Sequence, residues 1–159
     1  MSYYKYEIMK KILSLLICCI FLFSSCAVQQ DLSNKTVIEL NNHRGLMFID
    51  VTVNGKPARL LIDTGASKSL IDITQNEKYE FSYLDFPQQR YIGLGGLKDV
   101  YVVFDYKIEP MFVSFLGADL TELMGYFNDD EIFILGILGS NFFDQHNAVI
   151  DYRRNLLIY

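Results

Sequence analysis

The sequence predicts an all-β domain, a barrel or sandwich, and three observations predict it. Short apolar runs recur between turn signals, as at Leu46 to Val53, Ala58 to Ile62 and Val100 to Tyr106. Asn54-Gly55 separates the first two, and this pair suits a tight hairpin because both residues accept positive φ. Helical patterning is confined to Asp119 to Met124 and Asn141 to Gln145. The strand–helix alternation of a parallel α/β fold is therefore missing.

The chain has 159 residues, which suits one domain. Its apolar share of 51% suits a packed core rather than disorder. A net charge of −5 gives no reason to expect nucleic acid as a partner. No Cys/His set has metal-ligand spacing, so neither a metal nor a cofactor is expected.

The first 25 residues read as a signal peptide, separate from the domain. Lys5, Lys10 and Lys11 precede an apolar run from Ile12 to Phe23. That run is shorter than the roughly 20 residues a membrane span needs. Ser24-Ser25-Cys26 then resembles the end of a bacterial lipoprotein signal, with Phe23 where that family usually has Leu. The resemblance implies that Cys26 is lipidated and begins an exported chain, anchored to a membrane and facing the periplasm or the cell surface. Residues 26–35 would be a lipidated tether and residues 36–159 the domain. All three cysteines (Cys18, Cys19 and Cys26) lie in the leading segment, so the domain has no disulfide framework.

Within the domain, Thr36 to Leu40 reads as a first strand and Asn41 to Gly45 as a turn cluster. Leu46 to Val53 and the return strand from Pro57 to Asp63 make the hairpin. Ser69 to Ile73 reads as a short strand, and Thr74 to Gln89 carries no clear pattern. Val100 to Tyr106 and Met111 to Phe115 read as strands. Asn128 to Glu131 is an acidic loop without a calcium-loop pattern. Ile132 to Leu135 reads as a buried strand and Gly136 to Ser140 as a turn. Ser140 is the expected N-cap of the helix from Asn141. Ala148 to Tyr152 and Asn155 to Tyr159 close the chain as a hairpin.

Chemistry concentrates at Asp63-Thr64-Gly65-Ala66-Ser67, where an apolar strand delivers a carboxylate to a glycine turn. About seventy residues later comes Gly136-Ile137-Leu138-Gly139-Ser140-Asn141-Phe142-Phe143, followed by Ala148 to Tyr152. Together, in order and spacing, these motifs resemble the retropepsin-like aspartic proteases. The resemblance spans Leu46 to Tyr159 and implies a closed β-barrel of acid-protease type with one or two short helices.

The resemblance also implies roles. Asp63 would be the catalytic carboxylate, and Thr64 would hydrogen-bond across two loops. Gly65 would offer its N–H to the carboxylate, Ser67 could bond an outer carboxylate oxygen, and Ala66 would sit near the substrate backbone. Leu138, Gly139 and Ser140 would form the second loop beside the first. Tyr91, Gly93, Gly95 and Gly96 would form a hairpin flap that closes over bound peptide.

Hydrolysis without a metal needs an activated water and a general acid, and two adjacent carboxylates supply both by sharing one proton. Only one Asp-Thr-Gly triplet is present. The expectation is therefore a homodimeric aspartic endopeptidase, with Asp63 of each copy meeting across a two-fold axis. The alternative is an inactive peptide- or protein-binding module on the same fold. An aspartyl phosphoryl-transfer site is disfavoured, because Gly65 stands where Asp-x-Asp needs its second acid. Gly93-Leu94-Gly95-Gly96 lacks the spacing of a dinucleotide fingerprint.

Overall fold

Asn54 and Gly55 take φ of 49° and 76°, the left-handed pair that a tight hairpin turn requires. They join β3 (Leu46–Val53) to β4 (Lys56–Ile62) in antiparallel register, from Val53 opposite Lys56 to Phe48 opposite Leu61. The computed structural model describes residues 32–93, 96–127 and 133–159. Cys26, the signal segment, Leu94, Gly95 and the acidic loop from Asn128 to Glu131 lie outside the described residues. Lys35–Tyr159 is one structural unit.

The remaining strands are β1 (Val37–Glu39), β2 (Asn41–His43), β5 (Leu70–Asp72), β6 (Ser82–Tyr83), β7 (Gln89–Gly93) and β8 (Gly96–Phe104). Later come β9 (Ile108–Glu109), β10 (Leu116–Ala118), β11 (Gly136–Leu138), β12 (Val149–Asp151) and β13 (Leu156–Ile158). The described α-helices are short: α1 (Asn76–Tyr79), α2 (Thr121–Gly125) and α3 (Ser140–His146). The fold is all-β, as the strand and turn pattern predicts.

The larger sheet runs β2-β3-β4-β11-β5-β10-β8-β6, with β7 on β8 and β9 on β3. Among the described residues this path stays open between β2 and β6 and does not close into a ring by hydrogen bonding. A second sheet, β1-β13-β12, joins the first strand to the last two.

Side chains alternate between two cores. Ile49, Leu60 and Leu138 enter the larger one, while Phe48, Leu61 and Ile137 enter the smaller. Strand β11 and the Phe48–Ile49 and Leu60–Leu61 stretches of β3 and β4 are therefore covered on both faces, while Asp50 and Pro57 are exposed. This explains why those stretches read as continuous apolar runs, whereas Asp50 to Val53 alternates.

Five local expectations are corrected. Ile132 lies outside the described residues, and residues 133–135 are not a strand but lead into one, with the Leu135 N–H donating to the Arg59 carbonyl at 2.8 Å and the Leu135 carbonyl accepting the Asp72 N–H at 2.9 Å. Asn41–His43 is strand β2, and the turn narrows to Arg44 and Gly45, with φ of 54° and 81°. Gly136–Leu138 is a buried central strand, not a turn. Met111 to Phe115 is not a strand; the Tyr106 hydroxyl takes the Phe115 N–H at 2.9 Å and donates to the Val113 carbonyl at 3.2 Å. Ser140 is the first helical residue of α3, and Gly139 is the cap.

Candidate active site

β11 runs parallel to β4, with Leu138 opposite Ile62, and antiparallel to β5, with Ile137 opposite Leu70. The chain leaves β4, loops through residues 63–69 and re-enters the sheet as β5 on the other side of β11. The loop thus wraps the end of a central strand.

Three backbone donors fasten it there. The Asp63 N–H donates to the Leu138 carbonyl at 3.1 Å. The Ser140 N–H donates to the Ala66 carbonyl at 2.7 Å. The Gly139 N–H donates to the Ser69 hydroxyl at 3.0 Å, and that hydroxyl donates to Asn141 Oδ1 at 2.9 Å. Ser69 is fully buried, so these bonds satisfy groups that water cannot reach. Gly139 is needed for close approach: a Cβ there would lie 2.5 Å from the Lys68 carbonyl carbon and oxygen.

Asp63 is half-buried, and its Oδ1 accepts the Gly65 N–H at 2.9 Å. This is the bond the resemblance implied. A Cβ at Gly65 would stand 3.1 Å from that oxygen, so glycine keeps the carboxylate approachable. Thr64 and Ser67 are exposed, and among the described residues neither hydroxyl has a hydrogen bond. Ser67 therefore does not brace Asp63 within the chain.

A cleft of about 430 Å³ opens over this loop. Asp63, Gly65, Ala66, Ser67 and Lys68 border it on one side, and Tyr91, Ile92, Lys98 and Val100 of the β7–β8 hairpin on the other. Leu70, Ala118, Leu120, Leu123 and Ile137 complete an apolar wall. The hairpin pairs Gly93 with Gly96 at its described end, where Gly96 has φ of 82°. Tyr91 is half-buried and its hydroxyl donates to Gln89 Oε1 at 2.7 Å. Ile92 is 86% exposed.

Asp63, Ala66 and Tyr91 therefore share one cleft, while Leu138, Gly139 and Ser140 support the loop from behind without lining it. Sequence reasoning missed Ser69, Lys68 and Lys98. Ser69, a small polar residue just before an apolar run, was the available signal.

A family model described as aspartyl protease matches residues 49–142, more than half of the chain and both motif loops. The chain belongs to the aspartyl protease family. Solved structures similar to this aspartyl protease include the EIAV protease complexed with the inhibitor HBY-793, at 18% identity and a TM-score of 0.49, covering 70% of this chain and 97% of that one. A retropepsin-like aspartic protease from Rickettsia conorii is 18% identical with a TM-score of 0.45, covering 79% and 88%. The retroviral protease-like domain of Ddi1 from Leishmania major is 16% identical with a TM-score of 0.43, covering 70% and 86%. A search of curated proteins returns no match. Among the described residues, Asp63 is the one carboxylate lining the cleft of this aspartyl protease chain.

Proposed function

We propose that the protein is an aspartic endopeptidase that works as a homodimer, with Asp63 of two copies forming the catalytic pair. The observation that carries the reading is a cleft with one carboxylate where the chemistry needs two. The exposed Thr64 beside Asp63, its hydroxyl unbonded among the described residues, supports it, since a facing copy would supply the bond.

In this mechanism a peptide lies extended across the joined clefts, and backbone hydrogen bonds hold it. The ionised carboxylate takes a proton from water as the water oxygen attacks the scissile carbonyl carbon. The protonated carboxyl donates its proton to the carbonyl oxygen. The tetrahedral intermediate then collapses: one of its hydroxyls returns its proton to the pair as the C=O bond reforms, the C–N bond breaks, and the amine nitrogen leaves with a proton from the pair. The two carboxyls titrate as one unit. The Tyr91-bearing hairpin covers the peptide and keeps bulk water out.

The Cys26 motif supports a lipid-anchored location for this activity, on an exported face of a membrane. Labelling with radioactive palmitate, lost in Cys26→Ser, tests the anchor. The protease reading is tested by the mass of the full chain in detergent and by cleavage of a mixed peptide library. A dimer that cuts peptides, and stops when Asp63 becomes Asn, is the expected result. A strict monomer that binds peptides and cuts none from acid to neutral pH would leave the binding module as the function. The lone cleft carboxylate is the observation that keeps that second reading open.

A further inference from the structure

The cleft is bordered by charges of both signs. Three charged side chains border it: Asp63, Lys68 and Lys98. Lys98 Nζ lies 3.2 Å from Glu122 Oε2, so its charge is locally offset. Lys68 is exposed and, among the described residues, has no ion pair.

The Lys68 backbone is also fixed. Its carbonyl packs against Gly139, and its neighbours Ala66 and Ser69 are both hydrogen-bonded to the second loop. A backbone held in place thus carries Lys68 at the border of a cleft with an apolar wall, five residues after Asp63. Low-dielectric walls focus the field of such a charge into the groove.

We propose that Lys68 is a specificity-determining residue that selects peptides carrying an Asp or Glu side chain near the scissile bond. This rests on the protease reading above. In the two-fold pair, the second copy repeats Lys68 on the other side of the bond, so the acidic preference appears on both sides.

The test uses the full chain in detergent and peptide pairs that differ only by Glu or Gln at each position flanking the cut. The wild type should cleave the Glu member with kcat/KM roughly threefold to fivefold higher, the range of one exposed ion pair. The ratio should shrink as salt is raised. Lys68→Met should bring it to one, and Lys68→Glu should favour Lys-bearing peptides instead. Equal cleavage of Glu and Gln peptides by the wild type overturns the proposal. So does a ratio that survives Lys68→Met, one lost only in Lys98→Met, or one lost together with the dimer mass.

Binding of the same pairs to Asp63→Asn, read by fluorescence anisotropy, separates the two readings. A Glu preference in binding that depends on Lys68, with no cleavage by the wild type, sinks the protease reading and keeps the inference. Cleavage without discrimination does the reverse. Neither binding nor cleavage sinks both.

Discussion

The Ser69 hydroxyl receives the Gly139 N–H at 3.0 Å across 70 residues of sequence, fastening the Asp63 loop to the second loop through one buried side chain. Ser69→Ala removes this acceptor and also the donor to Asn141. The buried Gly139 N–H then has no partner, which costs about 1–3 kcal/mol. Urea unfolding should show a lower midpoint with an unchanged slope. A variant as stable as the wild type would mean that the two loops are held without this bond.

How far the site was legible follows from what its residues do. The β3–β4 hairpin was readable because Asn54-Gly55 has one common use, a tight turn. Gly136 and Gly139 looked like turn residues too, yet both serve close approach. A Cβ at Gly136 would collide with the Leu70 carbonyl oxygen, and one at Gly139 with the Lys68 carbonyl. Sequence does not distinguish a glycine that bends from a glycine that makes room, so the central strand between them was misread. Met111 to Phe115 is apolar enough for a strand, but a side chain, Tyr106, takes its backbone bonds. Asp63 was legible because its apolar approach and glycine turn are local. Ser69 and Lys68 were not, because their importance comes from what lies across the sheet or across the cleft.

Gly139→Ala should separate steric from conformational demands. Gly139 has φ of −92°, open to any residue, so only the close approach of the Lys68 carbonyl at 2.5 Å and the Ala66 carbonyl oxygen at 2.8 Å opposes a methyl group. The expected loss is about 1–3 kcal/mol, typical of overpacking. Gly125→Ala is the control, since nothing lies within 4 Å of a Cβ there and α2 should gain stability. Equal effects of the two variants in thermal melts would refute the close-approach argument.

Asp63→Asn should leave the fold alone and stop the chemistry. The amide oxygen can still accept the Gly65 N–H, now 2.9 Å from Oδ1. Stability should change by less than about 0.5 kcal/mol. Peptide cleavage should fall to background, because an amide neither takes a proton from water nor shares one. Retained cleavage would remove Asp63 from the reaction.

Thr64→Val tests the pairing of copies. The Thr64 hydroxyl has no bond among the described residues of one chain, so the folded chain loses nothing when a methyl group replaces it. The proposed dimer should weaken, seen as a concentration-dependent shift to monomer mass in sedimentation. Activity should fall with it and recover as protein concentration rises. A dimer of unchanged affinity would argue that Thr64 faces solvent in the active form.

Acid should loosen the cleft wall through Asp119. Its Oδ1 accepts the Thr121 N–H at 3.0 Å at the start of α2. Hydrogen bonds from the Thr121 backbone and hydroxyl, aided by the Lys98 charge and opposed by slight burial, hold the carboxyl below its usual 3.8. A carboxyl lowered by folding stabilises the protein fully above its unfolded value, and the benefit fades as pH falls through the folded value. The stability gap between wild type and Asp119→Ala should therefore be flat from neutral pH to about 4 and narrow below that. Because Ala118 and Leu120 flank Asp119 and line the cleft, peptide binding should weaken over the same range. A gap that stays constant into strong acid, measured by urea unfolding at each pH, would show that the Thr121 bonds do not favour the ionised carboxyl.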